Sequence, residues 1–67
     1  MEQGTVLWFN KSRGYGFISR DNEARDVWFH ISRYSGAGIP MTGDRVEFSV
    51  NDGERPFAGV VQPLAST

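Results

Sequence analysis

The stretch WFNKSRGYGFISR (residues 8–20) decides how the rest of the chain is read. Two extended runs flank a turn, Lys11-Ser12-Arg13-Gly14, and four aromatic side chains stand beside Lys11, Arg13 and Arg20. Along a strand, successive side chains point to opposite faces. Over residues 15–20, Tyr15, Phe17 and Ser19 therefore share one face, and Gly16, Ile18 and Arg20 the other. Only Ile18 in the second set can fill a core. That face is expected inside, which leaves Tyr15 and Phe17 pointing outward.

The same reading extends along the chain. No apolar residues recur at i, i+3, i+4, i+7 over a long window, so no long helix is expected. Five short extended runs cover residues 5–10, 15–20, 26–31, 45–50 and 57–62, separated by polar and glycine-rich turns. In the third run Val27 and Phe29 are the better core residues, which turns Trp28 and His30 outward. In the fourth, Val46, Phe48 and Val50 share one face. The apolar run Val6-Leu7-Trp8-Phe9 resists alternation and points to a bulge. Asn51-Asp52-Gly53 signals a hairpin, because these residues tolerate the positive φ of tight turns. Residues 32–44 form a long connection in which Ser32 is placed to cap a short helical turn. Five strands in so short a chain are expected to close, since an open sheet would leave reactive edges. A three-strand meander, a long loop and a hairpin describe an all-β, five-stranded antiparallel Greek-key barrel of the oligonucleotide-binding (OB) type.

The chain has 67 residues and no cysteine, so one domain over 1–67 with a small core is expected, without disulfide or thiolate-zinc support. No apolar run is long enough to span a membrane, and no secretion signal opens the chain. A cytoplasmic location is the expectation, and Asn10-Lys11-Ser12 is a glycosylation sequon by spelling alone. The net charge of −1 gives no bulk attraction to nucleic acid. The basic residues of the first third are nevertheless concentrated in the quoted stretch, while Asp21, Glu23 and Asp26 follow it.

Outward side chains of neighbouring strands lie within about 5 Å of one another. Trp8, Tyr15, Phe17, Trp28 and His30 should therefore form one patch. A single strand aromatic is usually cross-strand packing. Here seven of the nine aromatics fall in residues 8–34 with no helix to cover them, and a large uncovered patch usually marks a binding site. Rings beside Lys and Arg suit single-stranded nucleic acid, whose bases stack at about 1–3 kcal/mol each with little regard to sequence. Lys11, Arg13, Arg20 and Arg33 are the candidate phosphate contacts. Gly14 reads as a turn residue, and Gly16 as a bulge or a gap in the core. Gly14-x-Gly16 is no dinucleotide fingerprint, because no helix follows. His30, the only histidine, has no Cys/His cluster for a metal and no paired nucleophile for catalysis, so it is assigned to the patch. No catalytic residue, metal or cofactor is expected.

Three motifs in order, GTVLWFN, RGYGFIS and DVWFHIS, resemble the bacterial cold-shock proteins and the cold-shock domain more widely, from Gly4 to Val61. RGYGFI alone also fits a ribonucleoprotein motif, but that fold needs two amphipathic helices and an aromatic where Arg20 stands. The resemblance implies a five-stranded OB barrel that binds single-stranded RNA and DNA, often pyrimidine-rich. It also implies a part in keeping RNA unstructured, as RNA chaperone or antiterminator. Carried over by position, Trp8, Tyr15, Phe17, Trp28 and His30 fall on stacking positions, Phe9 at their edge, and Asn10, Lys11 and Arg13 in the basic turn. Ile31 and Ile39 stand where the family commonly has aromatics, and Leu7 where it frequently has Lys. Trp28 and Phe29 are each bulkier than the usual Phe and Val.

The platform is therefore expected to be shortened at one end and strengthened at its centre. Tyr34 and Phe57 are the candidates to replace the lost stacking. An inward Phe29 calls for small neighbours, with Gly16 and Gly59 as candidates. The nucleic-acid-binding set is thus Trp8, Phe9, Asn10, Lys11, Arg13, Tyr15, Phe17, Trp28, His30, Ile31, Arg33, Ile39 and Phe57. A peptide-binding module is the second reading, since small barrels with exposed aromatics also take proline-rich segments. An enzyme such as a nuclease is the third. A monomer is expected, and the 32–44 loop would also allow strand exchange between two chains.

Overall fold

Val6 pairs with Ile18, yet the next pair along the same two strands is Trp8 with Phe17. Leu7 is thus an extra residue, the bulge that the apolar run 6–9 called for. Its effect is geometric. Strict alternation would put residues 6 and 8 on one face. The bulge instead leaves Val6 buried, turns Trp8 out, and returns Phe9 toward the core.

The computed structural model describes residues 1–64. The strands are β1 (Glu2–Asn10), β2 (Tyr15–Arg20), β3 (Val27–His30), β4 (Arg45–Asn51) and β5 (Phe57–Pro63), with one turn of 3-10 helix at Ile31–Arg33. They close in the order β1-β2-β3-β5-β4, and β4 returns antiparallel to β1. The expected all-β Greek-key barrel is present. All its neighbours run antiparallel except β3 and β5, which meet in parallel at Trp28 and Phe57. Among the described residues no helix is long and apolar enough to cross a membrane.

The core holds Val6, Ile18, Val27, Phe29, Val46, Phe48, Ala58 and Val61, with Phe9, Tyr34 and Val50 packed against it. Gly16 makes room for Phe29. A Cβ at Gly16 would stand 3.1 Å from the Phe29 ring and collide with the Trp8 carbonyl oxygen. Gly59, the other candidate, faces Ser49 and Asn51 instead. It lies at a second bulge, where β5 shifts register against β4 between Ser49 and Val50. The Ser49 hydroxyl accepts the Val60 N–H there at 3.0 Å, satisfying a backbone donor that the shift displaces from the ladder.

Two local expectations change. The helical turn is capped by His30 rather than Ser32, with the imidazole accepting from the Ser32 N–H. The hairpin joining β4 to β5 exists, but its loop spans residues 52–56 and no residue in it has positive φ. Side chains from elsewhere hold this loop in place of a tight turn. Arg25 donates to the carbonyls of Glu54 at 2.6 Å and Gly53 at 3.4 Å.

Arg20 takes the same part, and its assignment to phosphate is corrected. It is 6% exposed. Its guanidinium donates to both Glu2 carboxylate oxygens at 2.9 Å and to Asp52 at 3.0 Å. Hydrogen bonds to Asp52 and Glu2 raise its pKa above the usual arginine range, against the opposing effect of burial. Alternation had placed Arg20 on the inner face with Ile18. At the barrel's end that face offers two carboxylates rather than solvent.

Candidate nucleic-acid interface

Strand register assembles the aromatics. Trp8 is the partner of Phe17, Phe17 of Trp28, and Trp28 of Phe57. Four aromatic residues thus cross β1, β2, β3 and β5 in one unbroken line. A second line runs beside it, with Asn10 opposite Tyr15 and Tyr15 opposite His30. Because the lines are two residues apart along each strand, on the same face, their rings interleave. Trp8 lies 5.4 Å from Phe17 and 5.5 Å from Tyr15, centroid to centroid. Tyr15 stacks on Trp28 at 6.2 Å with planes 25° apart, and Trp28 lies 6.2 Å from His30. These separations are those of favourable aromatic pairs, so the rings hold one another in place. They stay wet all the same: Trp8 is 42%, Trp28 37% and Phe57 45% exposed.

The turn between β1 and β2 presents the cations. Gly14 donates to the Asn10 carbonyl at 2.7 Å, and the Asn10 side chain accepts the Arg13 N–H at 3.1 Å. Asn10 thereby shapes the turn that carries exposed Lys11 and Arg13. Gly14 has φ 75°, a left-handed value that glycine adopts without strain. A Cβ there would also crowd Ile31 at 3.2 Å, with His30 Nε2 in ordinary contact at 3.5 Å. His30 Nδ1 accepts the Ser32 N–H at 3.1 Å, with the Ser32 hydroxyl 3.0 Å away. In the neutral ring the hydrogen therefore sits on Nε2, which presents a donor beside the turn.

The remaining candidates divide. Phe57 joins the ring line and helps form a cleft of about 600 Å3 with Phe17, Trp28 and Pro56. Arg25, Asp26, Glu54 and Arg55 supply its polar rim. Tyr34 does not join. It packs against the core, its backbone bridges to Val61, and burial pushes its phenol pKa above the ordinary range. Ile31 is half-buried beside Gly14, and Arg33 ends the 3-10 turn in solvent. Phe9 stacks on Phe29 at 5.8 Å, on the core side of β1. With Lys11 and exposed Ile39 it borders a second depression of about 230 Å3 that also includes Pro40, Met41 and Thr42. Asp26 and Arg55 escaped the sequence reading. Their signal was position, one residue before β3 and two before β5, where a strand end meets the outer face.

The comparisons with known proteins agree with this geometry. The model of the 'cold-shock' DNA-binding domain family matches residues 2–63. The major cold shock protein of Micrococcus luteus is 44% identical over 57 residues, 82% of this chain and 85% of that protein. Cold shock-like protein CspC of Escherichia coli K12 is 40% identical over 60 residues, 87% of each chain. Among solved structures, drosophila Unr CSD456 superposes with a TM-score of 0.80 at 26% identity, over 96% of this chain and 26% of that longer one. Match, register and barrel order lead to one conclusion: the chain belongs to the cold-shock DNA-binding domain family.

Proposed function

We propose that residues 1–67 act as one non-catalytic cytoplasmic domain that binds single-stranded RNA and DNA, favouring pyrimidine-rich stretches, as an RNA chaperone or antiterminator. The observation that carries this reading is the line Trp8, Phe17, Trp28 and Phe57 with Tyr15 and His30 beside it. A duplex keeps its base faces stacked on one another, so only unpaired bases can lie on these rings. Binding exposed strands shifts RNA away from hairpins by mass action, with no nucleotide hydrolysis. The monomer suffices, because one chain supplies every ring in the line. His30 Nε2–H, offered next to the turn, suits the carbonyl acceptors of pyrimidines.

Tryptophan fluorescence titrated with oligo-dT or oligo-U tests the reading. Quenching at low salt is expected, and its absence would sink it. Lys11 and Arg13 lie exposed on the turn between β1 and β2, Arg33 is exposed at the end of the 3-10 turn, and Arg55 borders the cleft. With about three or four phosphate contacts, log affinity should fall against log salt with a slope of about −2 to −3. A flat response would mean that these cations contact no backbone.

A further inference from the structure

The loop 52–56 forms one wall of the 600 Å3 cleft, and it is not a free loop. Arg20 grips Asp52 at its start, Arg25 grips the Gly53 and Glu54 carbonyls in its middle, and the Pro56 carbonyl accepts the Trp28 N–H at 3.1 Å at its end. Arg20 is itself anchored. Glu2 of β1 holds two of its nitrogens, and the third nitrogen donates to the Arg25 carbonyl at 3.4 Å. The guanidinium therefore ties together the start of β1, the end of β2, the segment leading into β3 and the loop leading into β5. Phe57 is the first residue of β5, so its ring sits wherever the loop delivers it.

We propose that Arg20 is a positioning residue of the nucleic-acid interface: through Asp52 and Arg25 it fixes the 52–56 loop, and so sets Phe57 and Pro56 against Trp28 at the width that accepts a base. Arg20 touches no nucleic acid itself, since its side chain is 4% exposed and its donors face carboxylates and a carbonyl. Its fork matters more than its charge. One nitrogen, Nη2, already spans Glu2 and Asp52, but the other two add a second bond to Glu2 and the bond to the Arg25 carbonyl. A lysine's single ammonium cannot supply all of these in the fork's fixed geometry. The proposal rests on the single-strand binding reading. It adds that the Phe57 end of the ring line is conditional on the clamp, whereas Trp8, Tyr15 and His30 are independent of it.

The test uses the full chain and a dT heptamer. Asp52→Asn removes one leg of the clamp at a side chain that is 64% exposed, so the barrel is spared. Affinity is expected to fall about 2- to 30-fold, the range for coupling through an intermediary. The salt slope should stay unchanged, because no phosphate contact is lost. In a Phe57→Ala background the same change should cost less than about 2-fold, since the group being positioned is gone. Without oligonucleotide, the Trp28 indole N–H resonance should shift as Phe57 and Pro56 move. Arg20→Lys, which drops the bond to the Arg25 carbonyl and one bond to Glu2, should move both measurements in the same direction as Asp52→Asn. Should Arg20→Lys not fold, Asp52→Asn decides alone. Unchanged or tighter binding, an altered salt slope, full additivity with Phe57→Ala, or an unmoved indole resonance would overturn the clamp. A wild-type chain that ignores the heptamer while the indole still shifts would instead overturn the binding reading and leave the clamp as a feature of the fold.

Discussion

Replacing Trp28 with alanine is expected to weaken single-strand binding by about 5- to 150-fold, the equivalent of about 1–3 kcal/mol. Trp28 has the most neighbours in the aromatic surface. Tyr15 and His30 flank its ring, and Phe17 and Phe57 are its partners across two strand pairings. Its removal takes away a stacking surface and also loosens the rings it supports. Losses at Trp8 or Phe57, each at one end of the line, should be smaller. The barrel should survive, because Trp28 lies outside the core cluster and is over a third exposed. Fluorescence titration through the remaining Trp8, paired with a thermal melt by circular dichroism, checks both halves. A variant that binds normally, or that no longer folds, would show that the ring faces something other than the ligand.

Phe29→Ala is expected to act oppositely, costing about 3–5 kcal/mol of stability with no contact to ligand. A chain of this length has about 3–10 kcal/mol in total, so the loss takes a large share of it and the melting temperature should fall by more than about 10 °C. Phe29 is fully buried and is among the largest such side chains. It stacks on Phe9 and fills the gap that Gly16 leaves. The cavity would have few ways to collapse, because the Gly16 backbone is already held close to the Trp8 carbonyl. The circular dichroism melting curve decides. A melting temperature within a few degrees of wild type would mean that the core repacks freely. The adjacent residues 28 and 29 thus stand on opposite faces of β3, one outward among the rings and one in the core.

That separation was readable in advance. In β2 and β3 the inward residues Ile18, Val27 and Phe29 alternate with outward rings, and one buried face fixes the register. Pairing register then dictates which rings meet, so most of the patch followed from period-two reading. What escaped depends on contacts distant in sequence. Arg20 sits on the inner face by alternation, but its partners Glu2 and Asp52 are 18 and 32 residues away, and only closure of the barrel brings them together. By sequence, Tyr34 and Phe57 are both candidates to replace the lost stacking, although only Phe57 enters the binding set. The parallel meeting of β3 with β5 carries Phe57 to the ring line, while Tyr34 bridges to Val61 and is half-buried against the core. The cap fell to His30 rather than Ser32, because an imidazole accepting the N–H two residues on does the work usually given to a hydroxyl. The hairpin was correct in place but wrong in type, since two arginines from outside the hairpin hold its loop.

The meeting of β3 and β5 at Trp28 and Phe57 has a thermodynamic corollary. Every other junction of the barrel is a ladder of several residues, whereas this one is a single stitch, and it runs beneath the rings. Small domains breathe first where least holds them shut. An oligonucleotide lying over both residues would suture that seam, and at a hundredfold excess over Kd would withhold about 2.7 kcal/mol from any opening that releases it. Deuterium uptake at the Trp28 and Ala58 amides should accordingly slow more on adding oligo-dT than uptake at Val46 or Phe48. Equal slowing throughout would mean that the barrel opens as a whole.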